Sequence, residues 1–344
     1  MFILRVLDPS LEEAWDRFVE SHPNGTFFHR AGWKHVIEKA FGHQALHFMT
    51  EQDGQVTGVF PLVWVKSRLF GNTMISVPFC VYGGPLAVDE FTSGKLYEYA
   101  HILMTESRTN AMELRFRDPP PPQDGWVSGP DLYVTFRKAI EADHERNMKA
   151  IPRKQRAMVR KGIQSGLTSV ADRDADRLHM IYAESVRNLG TPVFHRNYFR
   201  ILMEQFSNDV DITTVFDKET PVASVMNFYF RDEVLPYYGG GTTAARSVAA
   251  NDFMYWEVMR RAADRGCRMF DFGRSKRETG SFAFKHNWGF QEEKLNYMFR
   301  LKAGQAIPEI NPTNPKYAMF IKAWKKLPLP VANAIGPYIV RGIG

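Results

Sequence analysis

The sequence predicts an α/β protein of the α+β kind, built from two tandem copies of one unit. Each copy is a mixed, mostly antiparallel sheet flanked by helices. Three observations lead there. The same order of elements occurs twice: strand, helix, helix, three strands, glycine segment, helix, strand. Each third strand runs into the same tripeptide, Tyr82-Gly83-Gly84 in the first half and Tyr238-Gly239-Gly240 in the second. Between the halves lies Asp118-Pro119-Pro120-Pro121-Pro122, a run that neither helix nor central strand tolerates.

In the first half, residues 2–7 read as a strand and a helix follows to about Glu20. A second helix falls in 27–40, where Trp33, Val36, Ile37 and Ala40 share one face. Strands at 45–51 and 55–66 flank Gln52-Asp53-Gly54, a hairpin turn. A short strand near 73–77, a loop at Tyr82-Gly83-Gly84-Pro85, a helix over 90–106 and a strand near 111–117 complete the copy. Residues 131–137 alternate and read as a bridging strand.

The second half repeats this with a strand near 166–171, helices near 174–188 and 195–207, and strands at 211–217 and 221–230 around Lys218-Glu219-Thr220. A strand at 233–238 ends in Gly239-Gly240-Gly241, read as a glycine turn. A helix over 252–265, a strand at 267–272, a helix in 281–287 and a final alternating strand at 295–301 follow. In the tail, 318–327 is an amphipathic helix that Pro328 and Pro330 end. The expected domains are 1–130, 131–304 carrying the site, and a tail over 305–344 that packs on the first domain or on a membrane surface.

Composition narrows the class. With 44% hydrophobic and 24% charged residues the chain is globular rather than disordered or fibrous. A net charge of +6 favours an anionic partner without choosing among phosphate, nucleic acid and acidic lipid. Cys80 and Cys267, both in apolar stretches, read as buried thiols. Met1–Arg5 is too short for the core of a signal peptide, and no apolar run is long enough to span a bilayer. The expected location is the cytoplasm, with peripheral contact at the inner membrane left open.

Four segments could carry chemistry. Tyr238-Gly239-Gly240 precedes a helix, but too far from it for a phosphate cradle, and reads equally as a turn. The segment Asp271 to Phe290 is richer. Asp271 stands at the carboxyl end of a strand, among Arg274, Ser275, Lys276, Arg277 and Lys285. Fixed cations around a carboxylate suit diphosphate binding; a solvated basic loop is the plainer alternative. Arg187, ending a helix, complements the helix dipole or reaches into a cleft. The run from Arg146 to Lys161, including Arg153, is a solvated helix face or a phosphate-binding surface. No metal-ligand spacing, nucleophile elbow, P-loop or dinucleotide fingerprint occurs.

These segments resemble the FemAB family, and most closely its members associated with PEP-CTERM/exosortase and exopolysaccharide loci. The resemblance rests on Thr26–Trp33, Ile151–Gly162, Arg187–Pro192, Tyr238–Gly240, Phe270–Ser275 and Phe284-Lys285-His286-Asn287-Trp288-Gly289-Phe290. It implies two GNAT-type domains and transfer of an acyl or aminoacyl group to an amine on a phosphate-bearing sugar or cell-envelope precursor. The implied co-substrate is acyl-CoA or aminoacyl-tRNA, with no tightly bound cofactor and with tRNA a partner in the second case. The family lysine falls on Lys285, expected at the acceptor phosphates and reacting carbonyl. Tyr238 is expected to orient the acceptor and Asp271 to position cations or assist proton removal. Arg187, Arg274, Ser275, Gly239, Gly240 and Arg153 are expected to bind substrate. The chain departs from the family in lacking both a coiled-coil arm and the R-x-x-G-x-G/A loop. The other reading from the same residues is a non-catalytic module holding an anionic polysaccharide-lipid precursor.

Overall fold

The computed structural model describes residues 1–67, 71–307 and 315–342, and the chain divides into two compact units. Unit 1 comprises Met1–Asp131, Lys294–Glu309 and the final residues from Arg341; unit 2 comprises Leu132–Glu293 and Ile310–Val340.

Unit 1 opens with β1 (Phe2–Val6), α1 (Glu12–Ser21) and α2 (Gly32–Phe41). Trp15, Phe18 and Val19 of α1 and Trp33, Val36 and Ile37 of α2 are buried, which is the helical spacing of one apolar face meeting the core. Strands β2 (Gln44–Ala45), β3 (Phe48–Gln52), β4 (Gln55–Phe60), β5 (Val63–Ser67) and β6 (Gly71–Ile75) follow. The single strand expected over 55–66 is two strands, because Pro61 lacks the N–H a continuous ladder requires. The turn between β3 and β4 places Asp53 and Gly54 at positive φ, the hairpin geometry this residue pair favours. Next come β7 (Leu86–Ala87), α3 (Glu90–Glu106), whose start is capped by Asp89 accepting from Thr92 N–H at 2.8 Å, then β8 (Ala111–Phe116) and β9 (Val127–Ser128).

Unit 2 begins with β10 (Tyr133–Ala139), α4 (His144–Ala150), α5 (Arg153–Gln164), β11 (Thr168–Asp172), α6 (Ala175–Leu189) and α7 (Asn197–Gln205). Then come β12 (Val210–Asp217), β13 (Thr220–Phe230), β14 (Glu233–Gly241), α8 (Ala250–Asp264), β15 (Met269–Asp271), β16 (Ser275–Lys276), α9 (Gly280–Asn287) and β17 (Gln291–Lys294). The order in its sheet is β11-β12-β13-β14-β15-β10-β16, with β17 on β10. Among the described residues β14 and β15 run parallel, and the other neighbours along this path are antiparallel.

The last strand, β18 (Asn296–Leu301), departs from expectation. It belongs to unit 1, pairing antiparallel with β8 from Asn296↔Phe116 to Leu301↔Ala111. Among the described residues unit 1 thus has the sheets β1-β3-β4-β7 and β2-β5-β6-β8-β18-β9. Alternation revealed the strand, but alternation carries no address. The two copies therefore match closely: β8 is flanked by β18 as β15 is flanked by β10, and β6 runs parallel to β8 as β14 runs parallel to β15.

Two further expectations change. Gly239-Gly240-Gly241 is not a turn but the end of β14, paired with Ala223–Val225. A methyl on Gly240 would lie 2.4 Å from the side chain of Ser185 on α6. Gly240 is small so that α6 can press onto the strand, while Gly239 and Gly241 lie tight against Val225 and Asn251. The tail holds two helices, α10 (Pro315–Trp324) and α11 (Leu329–Val340); Pro330 sits in the first turn of α11, where its missing N–H costs nothing, so it starts a helix rather than ending one. Residues 308–314 of the tail lie outside the described residues.

This packing makes a differential prediction. Gly240→Val forces Ser185 and α6 off the strand and lowers stability by about 1–3 kcal/mol. Gly94→Ala, inside α3 with open space around it, raises stability by about 0.5–1 kcal/mol. Shifts of the urea midpoint in opposite directions are the expected result.

Candidate functional site

In unit 2 the parallel pair β14/β15 is short. It is hydrogen-bonded at Glu233↔Met269 and Val234↔Phe270 and then parts. Among the described residues, β14 from Leu235 to Gly241 has no strand partner on the β15 side. A register shift follows at once: Asn227 faces Pro236 while Met226 faces Tyr238, leaving Tyr237 as an extra, bulged residue. The bulge turns the Tyr237 ring toward the end of β15, where a methyl on Gly273 would lie 3.7 Å from it.

Asp271 ends β15 and is 1% exposed. Its Oδ1 accepts from the Thr135 hydroxyl at 2.9 Å and from Gly273 N–H at 2.7 Å. Its Oδ2 lies 3.7 Å from Arg137 Nε, and Arg137 also pairs with Glu233. A buried carboxylate needs this company. Buried in this way, the carboxylate is turned to Thr135, Arg137 and the Gly273 amide, a setting for positioning the turn rather than for removing a proton from a substrate amine.

That turn presents carbonyls to Lys285. Lys285 Nζ donates to Gly273 O at 2.9 Å and Arg274 O at 3.0 Å. Loss of hydration pushes the ammonium down to about 7; Asp271 opposes this and Arg274 adds to it. An ammonium has three donors, so one N–H remains after the two carbonyls are satisfied. The neutral amine would satisfy both carbonyls and keep a lone pair. Lysine at this pKa stands ready for either state.

Helix α9, which carries Lys285, is anchored at its end. Trp288 is fully buried and donates to Asp252 Oδ1 on α8 at 3.1 Å; Gln155 Nε2 of α5 donates to the same oxygen. Burial raises the Asp252 pKa, and these two donors oppose the rise. Gly289, at φ +77°, follows Trp288 tightly against Pro152, where a Cβ would come within 2.9 Å. A cavity of about 550 Å³ runs along α9, lined by Phe282, His286, Asn287 and Phe290 among others.

The other expected residues scatter. Arg274 is half-buried with its guanidinium 4.8 Å from the Tyr133 ring centre. Ser275 pairs in register with Val134, its hydroxyl buried and without a hydrogen-bond partner among the described residues. Arg277 pairs with Glu292 at 2.5 Å. Tyr238 faces away from this turn. It is 5% exposed, hydrogen-bonded to the Tyr198 hydroxyl at 2.7 Å and enclosed by Tyr182, Phe194 and Phe199, so it cannot orient an acceptor. The neighbouring Tyr237 is the tyrosine whose ring lies beside Gly273. Arg187 Nη1 donates to Lys325 O at 3.4 Å, at the end of α10, and not toward Lys285. Arg153 is exposed at the start of α5.

Thr135, Arg137 and Asp252 were not singled out in the sequence, and Tyr237, Gln155 and Trp288 stood within quoted motifs without a role of their own. The Tyr237-Tyr238 repeat signalled only that one tyrosine faces each side of the strand; the bulge decided which. Unit 1 has its own cavity, of about 730 Å³, lined by Tyr82, Gly84, Tyr97, Arg115 and Asp118 among others. Neither its described lining nor that of the cavity along α9 includes a lysine.

Residues 146–286 match the family described as the acetyltransferase (GNAT) domain. Among solved structures, the chain is similar to FemX, at TM-score 0.70 and 15% identity over 87% of this chain and 97% of that one. It is also similar to a tandem GNAT protein from the clavulanic acid biosynthesis pathway, at 0.57 and 12% over 89% and 100%. A third likeness is the C-terminal domain of a putative lysylphosphatidylglycerol synthetase from Agrobacterium fabrum, at 0.55 and 10% over 86% and 93%. None of the curated proteins matches the sequence. The fold is thus a tandem GNAT-type fold; the repeated element order predicted the duplication, and the family resemblance implied the GNAT type.

Lys285 can be tested directly. Its folded pKa, about 7, lies below the ordinary 10.5, so the folded chain binds fewer protons between these values. Stability contributed at this residue therefore rises with pH across that window. NMR of the lysine side chains should show one amine titrating near pH 7 that disappears in Lys285→Met.

Proposed function

We propose that the chain transfers an acyl or aminoacyl group to an amine on a phosphate-bearing sugar or cell-envelope precursor, in unit 2. The observation that carries this reading is Lys285, held on the Gly273 and Arg274 carbonyls where β14 and β15 part.

The parted strands leave backbone N–H and C=O groups of β14 available to an extended, amide-containing arm, as in strand addition. The arm of an acyl-CoA has that chemistry, and so does a peptide-like aminoacyl donor. The acceptor amine attacks the donor carbonyl, forming a C–N bond and placing negative charge on the carbonyl oxygen. The third N–H of the Lys285 ammonium is available to that oxygen. Collapse of the intermediate breaks the bond to the thiol or ribose oxygen, and the proton lost by the amine goes to that leaving group. Asp271 positions the carbonyls that aim Lys285, Tyr237 borders the reacting region, and Arg274 and Lys276 supply charge for acceptor phosphate.

The test incubates the chain with a panel of acyl-CoAs and charged tRNAs and with UDP-linked amino sugars, reading new amide product by mass spectrometry. Lys285→Met should lower turnover by about 100- to 1,000-fold with an unchanged circular dichroism spectrum. A fully active variant, or no product from any donor, overturns the assignment.

A further inference from the structure

The two tail helices of unit 2 leave an apolar face uncovered. α11 contains no charged residue. Ala332, Gly336 and Val340, spaced by four, form its buried side. A Cβ on Gly336 would lie 3.0 Å from the backbone of Val193, so this side is in close contact with the unit. Leu329 packs on Ala183, Val186 and Val193. The opposite side is equally apolar: Val331, Ile335 and Tyr338 form a stripe, and Tyr338 is 82% exposed. On α10, Met319 is 72% exposed and Phe320 lies beside it, partly exposed, while Trp324 is buried. Leu189, 67% exposed, precedes Gly190, against which Ile321 of α10 packs. A helix apolar all round belongs in an apolar surrounding.

The charges beside this face identify the surrounding. Lys322, Lys325 and Lys326 are all exposed at the end of α10. None makes an ion pair among the described residues. From residue 310 to the end the sequence contains Lys316, Lys322, Lys325, Lys326 and Arg341, and neither aspartate nor glutamate. We propose that α10 and α11 dock unit 2 on the surface of an anionic lipid bilayer, with the apolar stripe among the acyl chains and the lysines at the headgroups. A helix of 12 residues reaches about 18 Å, short of the roughly 30 Å needed to cross. Among the described residues no helix is long and apolar enough to cross a membrane. A second copy on the same face would bring the lysines of both copies together, which disfavours self-association.

The inference is independent of the transfer reaction and is tested without it. The full chain is mixed with phosphatidylcholine vesicles, with and without phosphatidylglycerol, and sedimented. Binding to the phosphatidylglycerol vesicles, reduced by salt, is expected. Replacing all three lysines (Lys322→Gln, Lys325→Gln, Lys326→Gln) should weaken it by about 100-fold. Ile335→Asp should abolish it. The lysines are exposed, so their replacement tests the proposal even if Ile335→Asp does not fold. No binding to anionic vesicles, or binding that both variants retain, overturns the proposal. So does a dimer in light scattering that Ile335→Asp disperses, because a second copy would then be the occupant.

Discussion

The Asp271 carboxylate, buried within a sheet, governs the arrangement of the second unit. A buried charge persists only where donors surround it. Thr135 and Arg137 from β10 and the amide of Gly273 provide them. Gly273 can close that turn because its φ of +68° is open to glycine. Once the amide of Gly273 points back at Asp271, the carbonyls of Gly273 and Arg274 are left for Lys285. The charge, the turn and the lysine are therefore a single arrangement. Removing the carboxylate would disturb the lysine without touching it.

A second constraint sets the other end of α9. Trp288 and Gln155 meet on one oxygen of Asp252, joining α9, α5 and α8 through a buried polar contact. Polar contacts of this kind fix one packing among several apolar alternatives. The aromatic and glycine of the Phe-Lys-x-x-Trp-Gly-Phe segment thus act on the anchoring of the helix. Its lysine binds the Gly273 and Arg274 carbonyls. One short stretch of sequence serves two ends of the same element.

The duplication clarifies what is specific to the second copy. Both units have a parallel strand pair with a helix between its two strands in sequence, α3 between β6 and β8 and α8 between β14 and β15, and each unit has a cavity. The first unit lines its cavity with tyrosine, arginine and a wall of prolines, among others. The second adds α9 and its lysine.

Local chemistry was legible in the sequence. Helix faces, hairpin turns, the repeat and the cationic Asp271–Lys285 segment depend on neighbours a few residues apart, and periodicity reports such neighbours directly. Long-range choices were not. A bulge at Tyr237 decided which tyrosine borders the site, and the pressure of α6 on Gly240 decided that the glycines continue a strand. Pairing with β8 placed β18 in the first unit, and contact with Val193 decided which side of α11 is covered. Each of these depends on which distant surface meets the segment, and the residues themselves are compatible with more than one meeting. The sequence by itself determined the repeated α/β unit and the lysine in its second copy; the tertiary structure alone decided how the turn beneath that lysine is held, because Asp271, which closes the turn, takes its hydroxyl partner Thr135 from a strand more than a hundred residues away.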